Sequence, residues 1–301
     1  MFGSHSTLLS LFAASLAITS ACLLEEEPDL ADSEAEIIGG TVAGGSDVAA
    51  IGAVRVEGGG ANGRPGICTG ILIAPKLVLT SESCVQNRTP DKITFLIGKE
   101  TSNPSQRARV RAIVIENSVG GGATGRGIDA ALLHLRDALD DVAPLPLVAL
   151  SGNQVGRRFR GFGYGVDEDG DKFVRRGGDM TLLGTRGKVL ELVFGSFEDF
   201  LDDGARRLFP NLNPAVAADR ATLKRFYDGI SLLDGVDAWF GGRDGDANMC
   251  DGDMGGPITT KVGGKLKVVG MGSWGLPGCA VGAGYTLITP KVLDFVARER
   301  D

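Results

Sequence analysis

Along most of this chain the hydrophobic positions fall in short β-branched runs with glycine clusters between them. Val48 to Val56 and Ile67 to Thr80 are two such runs, parted by Gly58-Gly59-Gly60, and Thr181 to Phe194 supplies more. Apolar runs of this length, bounded by turn residues, predict many short strands. The segment from Phe197 to Leu233 breaks the pattern. Phe197, Phe200, Leu201 and Leu208, then Ala217, Leu223, Phe226 and Ile230, recur at helical spacing. It reads as a partly helical insertion over about 197–233, with an amphipathic packing helix as its default role and a lid or partner surface as the alternative. A last helix is expected from Val292 to Arg300.

The amino-terminal end follows a different rule. Leu8 to Ile18 is an apolar run too short to span a bilayer and the right size for the core of a signal peptide, although the residues before it carry no Lys or Arg, only His5. It ends in Thr19-Ser20-Ala21-Cys22, small residues before a cysteine, which resembles a bacterial lipoprotein processing site. Residues 1–21 are therefore expected to be a signal peptide and Cys22 a lipidation site; ordinary cleavage after Ala21, leaving a free thiol, is the alternative.

Composition bounds the rest. With 301 residues, 43% of them hydrophobic, the chain can build one large or two small cores. The net charge of −7 is localised: residues 25 to 36 hold seven acids and no base, so that 22–36 reads as a disordered acidic tether. Removing those seven from the 38 acids leaves 31, equal to the 31 bases. The folded part is thus neutral overall, which argues against nucleic acid as a partner.

The motifs that carry chemistry begin after the tether. They are Ile37-Ile38-Gly39-Gly40, Cys68-Thr69-Gly70-Ile71-Leu72-Ile73, Leu77-Val78-Leu79-Thr80-Ser81-Glu82-Ser83-Cys84 and Ile128-Asp129-Ala130-Ala131-Leu132-Leu133. Gly161-Phe162-Gly163, Cys250-Asp251-Gly252-Asp253-Met254-Gly255-Gly256-Pro257 and Ser273-Trp274-Gly275 follow. In this order they resemble the chymotrypsin/trypsin-like serine proteases, over about 265 residues and most weakly from Phe197 to Asp246. The resemblance implies an all-β fold of two packed six-stranded antiparallel barrels with a C-terminal helix. It divides the domain 37–301 into barrel one at about 37–150 and barrel two at about 151–301. It also implies disulfides Cys68–Cys84 and Cys250–Cys279, an oxidising exported setting, and a fifth cysteine, Cys22, left over for lipid.

The same resemblance assigns roles that the residues then fail to fill. Met254 stands where the nucleophilic serine belongs, and a thioether has no proton to give up and forms no acyl-enzyme. Ser83 stands where the general-base histidine belongs, and a serine hydroxyl takes no proton near neutral pH. Of the triad positions Ser83, Asp129 and Met254, only Asp129 is retained. A buried carboxylate needs donors, and the Ser83 hydroxyl is the expected one. His134, the single histidine after the signal region, lies five residues along an expected strand from Asp129, roughly 16 Å away and on its opposite face.

Further roles carried by the resemblance are an oxyanion hole from the N–H groups of Gly252 and Met254, and an activation ion pair between Asp253 and the ammonium freed by cleavage before Ile37. Glu36 precedes that bond, so a trypsin-like activator would not cut it. Asn248 falls at the base of the specificity pocket, with Ser273, Trp274 and Gly275 as the strand that pairs with a peptide. The expectation is a non-catalytic homologue, without cofactor or metal, that binds a protein or extended peptide and meets a membrane only through a lipid anchor. An active endopeptidase with an unrecognised catalytic arrangement is the second reading.

Overall fold

The computed structural model describes residues 37, 39–59, 66–116, 127–165 and 174–300. The expected signal peptide, tether and Cys22 lie outside these residues, as does Ile38. A two-residue strand β1 (Thr41–Val42) comes first. Then β2 (Ile51–Val56), β3 (Gly66–Ala74), β4 (Leu77–Thr80), β5 (Ile93–Ile97), β6 (Gln106–Ile115) and β7 (Ala131–Leu135) close an antiparallel barrel in the order β2-β3-β4-β7-β6-β5. Strand alternation decides what fills it. The cross-strand row Val54, Phe95, Ala108 is buried, while the next row, Arg55, Thr94, Arg109, faces out. Glycine makes space for the Phe95 ring, since a Cβ at Gly52 would fall 2.5 Å from it.

The second barrel closes from β8 (Arg158–Gly163), β9 (Arg176–Gly184), β12 (Asp237–Phe240), β13 (Pro257–Val262), β14 (Lys265–Gly275) and β15 (Ala283–Leu287), with β1 added to β9. The two-barrel fold expected from the motifs is the one present. Helix α6 (Pro290–Arg298) ends it, its first turn capped by the Thr289 hydroxyl accepting from Val292 N–H.

Between β9 and β12 the expectation needs correction. Strand structure stops at the short pair β10 (Gly187–Lys188) and β11 (Ser231–Leu232), and Val189–Phe194 is helix α2. The apolar run there is compatible with a strand or a buried helix segment, and periodicity alone does not separate them. Gly195, at φ 78°, stops the helix. Next come α3 (Phe197–Asp199), a π-helical turn at Phe200–Gly204, α4 (Ala205–Leu208) and α5 (Ala217–Gly229). These helices bury a third hydrophobic cluster of their own, including Leu190, Phe200, Leu208, Leu223 and Tyr227. Trp239 and Leu276 of the second barrel join it, and the half-buried Trp274 packs against it.

The first barrel is tied to the segment that enters the second one by buried polar side chains. Arg175 donates to the carbonyls of Ala43 (3.1 Å) and Ile51 (3.0 Å). The Tyr164 hydroxyl lies 3.0 Å from the Ile51 carbonyl and also reaches that of Gly98, so its one proton serves one of them at a time. Burial pushes the Tyr164 phenol up to about 12, against the pull of the Arg175 charge.

Candidate functional site

Asp129 sits just before β7, 3% exposed, where the two barrels meet. A carboxylate accepts only, so its burial is tolerated in proportion to its donors. It has three. Ser83, on the short helix α1 (Glu82–Val85), gives its backbone N–H to Oδ1 at 2.9 Å and its hydroxyl to Oδ2 at 3.1 Å. Ser273, on β14 of the other barrel, gives its hydroxyl to Oδ2 at 2.6 Å. The Cys68–Cys84 disulfide fastens α1 to β3 and so holds Ser83 in reach. The Ser83 hydroxyl donates to Asp129 as expected. The Ser273 contribution is not legible in its local motif, which marks it only as part of a peptide-pairing strand.

A second acid near this cluster was also missed. Asp237 on β12 is 5% exposed and accepts from the Leu233 N–H at 3.1 Å. Burial, aided by the Asp129 charge, pushes its carboxyl up to about 6 despite that bond. No motif marks it; only the pairing of β12 with β15 brings it into the region.

The Cys250–Pro257 loop is clamped to the first barrel through Thr69. Its N–H donates to the Met254 carbonyl at 2.8 Å, and its hydroxyl donates to that of Gly252 at 2.9 Å. Gly252 and Gly255 have φ of 99° and 80°, a backbone that side chains resist. Among the described residues, the N–H groups of Gly252 and Met254 donate no hydrogen bond. Asp253 is 1% exposed and accepts from the backbone N–H groups of Gly165 (2.7 Å) and Cys250 (3.0 Å). Burial outweighs those two bonds and pushes its carboxyl up to about 7. Ile37 is buried in the second barrel's cluster with Phe159, Met180 and Ala247, and neither bond to Asp253 comes from it.

Beside Met254 lies a cavity of about 330 Å³, lined by Met249, Met254, Asp251, Leu276, Pro277 and the Cys250–Cys279 disulfide, among others. Asn248, expected at the pocket base, does not line it. That residue is buried, with Oδ1 lacking a hydrogen-bond partner among the described residues. Met249 lines the cavity instead. Its sulfur occupies the place of a side chain at position 272, since a Cβ on Gly272 would fall 2.2 Å from it. No local pattern in the chain links Met249, in the loop after β12, to Gly272 of β14.

Along one wall, β14 pairs with β13 as far as Met271, and Gly272 exchanges main-chain bonds with Gly255 and Gly256, so among the described residues the edge opposite β15 has no strand on it from Ser273 onward. Gly275 is exposed there. The Trp274 ring packs 5.1 Å from Trp239 and over Gly284, with its Nε1 buried and unpartnered among the described residues. His134 is on β7, opposite Leu77 and Ala112, with Nε2 3.3 Å from a Glu299 carboxylate oxygen after α6. It is half-buried against the C-terminal segment.

The family model described as Trypsin matches residues 37–188, just over half of the chain. Coagulation factor IX of Oryctolagus cuniculus is 26% identical over 254 residues, 77% of this chain and 79% of that protein. Among solved structures, the scabies mite inactivated protease paralogue S-D1 aligns with a TM-score of 0.60 at 15% identity, over 87% of this chain and 97% of that one. At that identity the likeness is one of fold. The family match stops at Lys188, the residue before the helical cluster begins.

Proposed function

This chain belongs to the trypsin family, and from that premise we propose that it has given up peptide-bond hydrolysis and works as a binding module for an extended protein segment. The observation that carries this reading is the set of donors around Asp129. Where the resemblance puts the general base there is the Ser83 hydroxyl, which gives its proton to Asp129 and takes none from a nucleophile. The nucleophile position holds Met254, which has nothing to give. His134, engaged with Glu299, offers no substitute base.

What remains suits docking. Among the described residues, the Ser273–Gly275 edge of β14 has no strand paired on it and so has main-chain positions open to an added strand. The cavity under it is walled by two flexible thioethers that accept an apolar side chain. Asp251, exposed, contributes to its lining. The two disulfides fit an exported protein, and we extend this to a lipid anchor at Cys22, which mass spectrometry of the mature N-terminus would detect.

The decisive test is labelling with a fluorophosphonate probe. The wild-type domain should not react, and Met254→Ser alone should restore nothing measurable, because removing either partner of such a pair costs about 10⁶ in turnover. Ser83→His with Met254→Ser should recover weak labelling. Stoichiometric reaction of the unaltered protein would end the proposal.

A further inference from the structure

The outer face of the first barrel carries a charge pattern that neither catalysis nor the β14 edge uses. On β6, Ala108 and Val110 point inward, at 1% and 0% exposure, and Arg107, Arg109 and Arg111 are exposed on the other face. Cross-strand pairing widens the stripe. Arg109 stands opposite Thr94, and Thr94 opposite Arg55 of β2. The N–H of the exposed Arg136 donates to the Arg109 carbonyl, which sets a fifth arginine at the same edge.

The acids around this face do not neutralise it. Glu57 and Asp91 each lie 3.9 Å from the Lys92 ammonium; Asp91 also feels the Arg136 charge, and Asp137 follows Arg136 in the chain. Among the described residues, Arg107, Arg109 and Arg111 form no side-chain hydrogen bond or ion pair. A folded part with equal numbers of acids and bases would be expected to intersperse them. Like charges in neighbouring positions on a sheet instead cost stability, and nothing within the described fold offsets that cost.

Residue type and spacing indicate the occupant. Arginine presents a planar fork that grips a carboxylate through two parallel hydrogen bonds. Alternate residues on a strand are about 6.6–6.8 Å apart, and an extended peptide repeats its own alternate side chains at the same interval. We propose that the outer face of β6 docks an extended acidic peptide segment whose Asp or Glu residues fall at every second position, in register with Arg107 and Arg109, with Arg111, where the pairing of β6 with β7 is bulged, as a third cation beside them. This surface is separate from the β14 edge, and its occupancy does not depend on whether the protein has lost catalysis.

The test is anisotropy titration of the folded domain with a short labelled peptide alternating Glu and Thr. A peptide of equal composition with its acids in one block, a sulfated polysaccharide and anionic phospholipid vesicles serve as competitors. The alternating peptide should bind about tenfold more tightly than the blocked one, and more weakly as salt is raised. Arg107→Gln/Arg109→Gln/Arg111→Gln should lower its affinity tenfold or more, as expected for three exposed charge pairs. The single change Arg109→Gln should show a smaller loss in the same direction, and serves if the triple variant has an altered melting curve. Four results would each overturn the proposal: no binding at low salt, equal affinity for both peptides, affinity unchanged by the arginine substitutions, or tighter binding of the polysaccharide or vesicles than of the alternating peptide.

Discussion

Asp129 and Asp253 are both buried, at 3% and 1% exposure, but they are answered differently. Asp129 is met from both barrels, by the N–H and hydroxyl of Ser83 and by the hydroxyl of Ser273. Among the described residues, Asp253 is met only by main-chain amides, those of Gly165 and Cys250. Hydroxyls rotate to point a proton at the charge, whereas amides stand where the loop puts them. Two fixed dipoles leave Asp253 short of stabilisation, and burial pushes its carboxyl up to about 7. The difference teaches that a buried acid met by hydroxyls from both barrels is fully answered by this fold, while the loop's acid has no cation beside it among the described residues.

The largest test of that contrast is pH. Asp253 has a folded-state value of about 7 against 3.8 for the free side chain. A raised acid holds its proton longer when folded, so its contribution is fully present below about pH 4 and is lost as pH rises to about 7, on the order of 4 kcal/mol. Asp253→Asn should flatten that part of the stability curve, measured by urea unfolding at successive pH values. An ammonium group freed by cleavage before Ile37 and seated beside Asp253 would reverse the slope; a reversed slope in a cleaved sample would therefore locate the partner this acid lacks.

Next comes Asp129→Ala, which strands three donors at the barrel junction and should cost about 3 kcal/mol, read as a lower urea midpoint at constant slope. A loss below about 1 kcal/mol would mean that the serines re-pair easily, and that Asp129 is no more answered than Asp253. Smallest is Ser273→Ala, at about 1 kcal/mol, because Asp129 keeps both bonds from Ser83.

Much of this site could be read in the chain because its residues lie in local motifs. Cys68 and Cys84 bracket a strand hairpin and the Ser83 turn, and Asp253 is one residue from Met254. What escaped notice depends on contacts between distant segments. Ser273 reaches Asp129 across 144 residues, and Met249, in a loop, fills space left by Gly272 on β14. Helix α2 was misread for a local reason: Val189 to Phe194 is apolar on too many positions for a period to emerge.

The helical cluster between β9 and β12 has a kinetic consequence. Most of its contacts join residues near each other in the chain, from Leu183 to Leu232, and contacts of short sequence separation form fast. The barrel junction is of the opposite kind. Thr69 must find Gly252 across 183 residues, and Ser273 must find Asp129 across 144. Loop-closure entropy places such contacts late. Folding in that order would give the helices a hydrophobic surface ready for Trp239 and Trp274 before the second barrel closes, and β14, which carries both Trp274 and Ser273, would be laid onto a template rather than onto solvent. The insertion would then act as a scaffold for assembly, and its loss would show first as slow refolding.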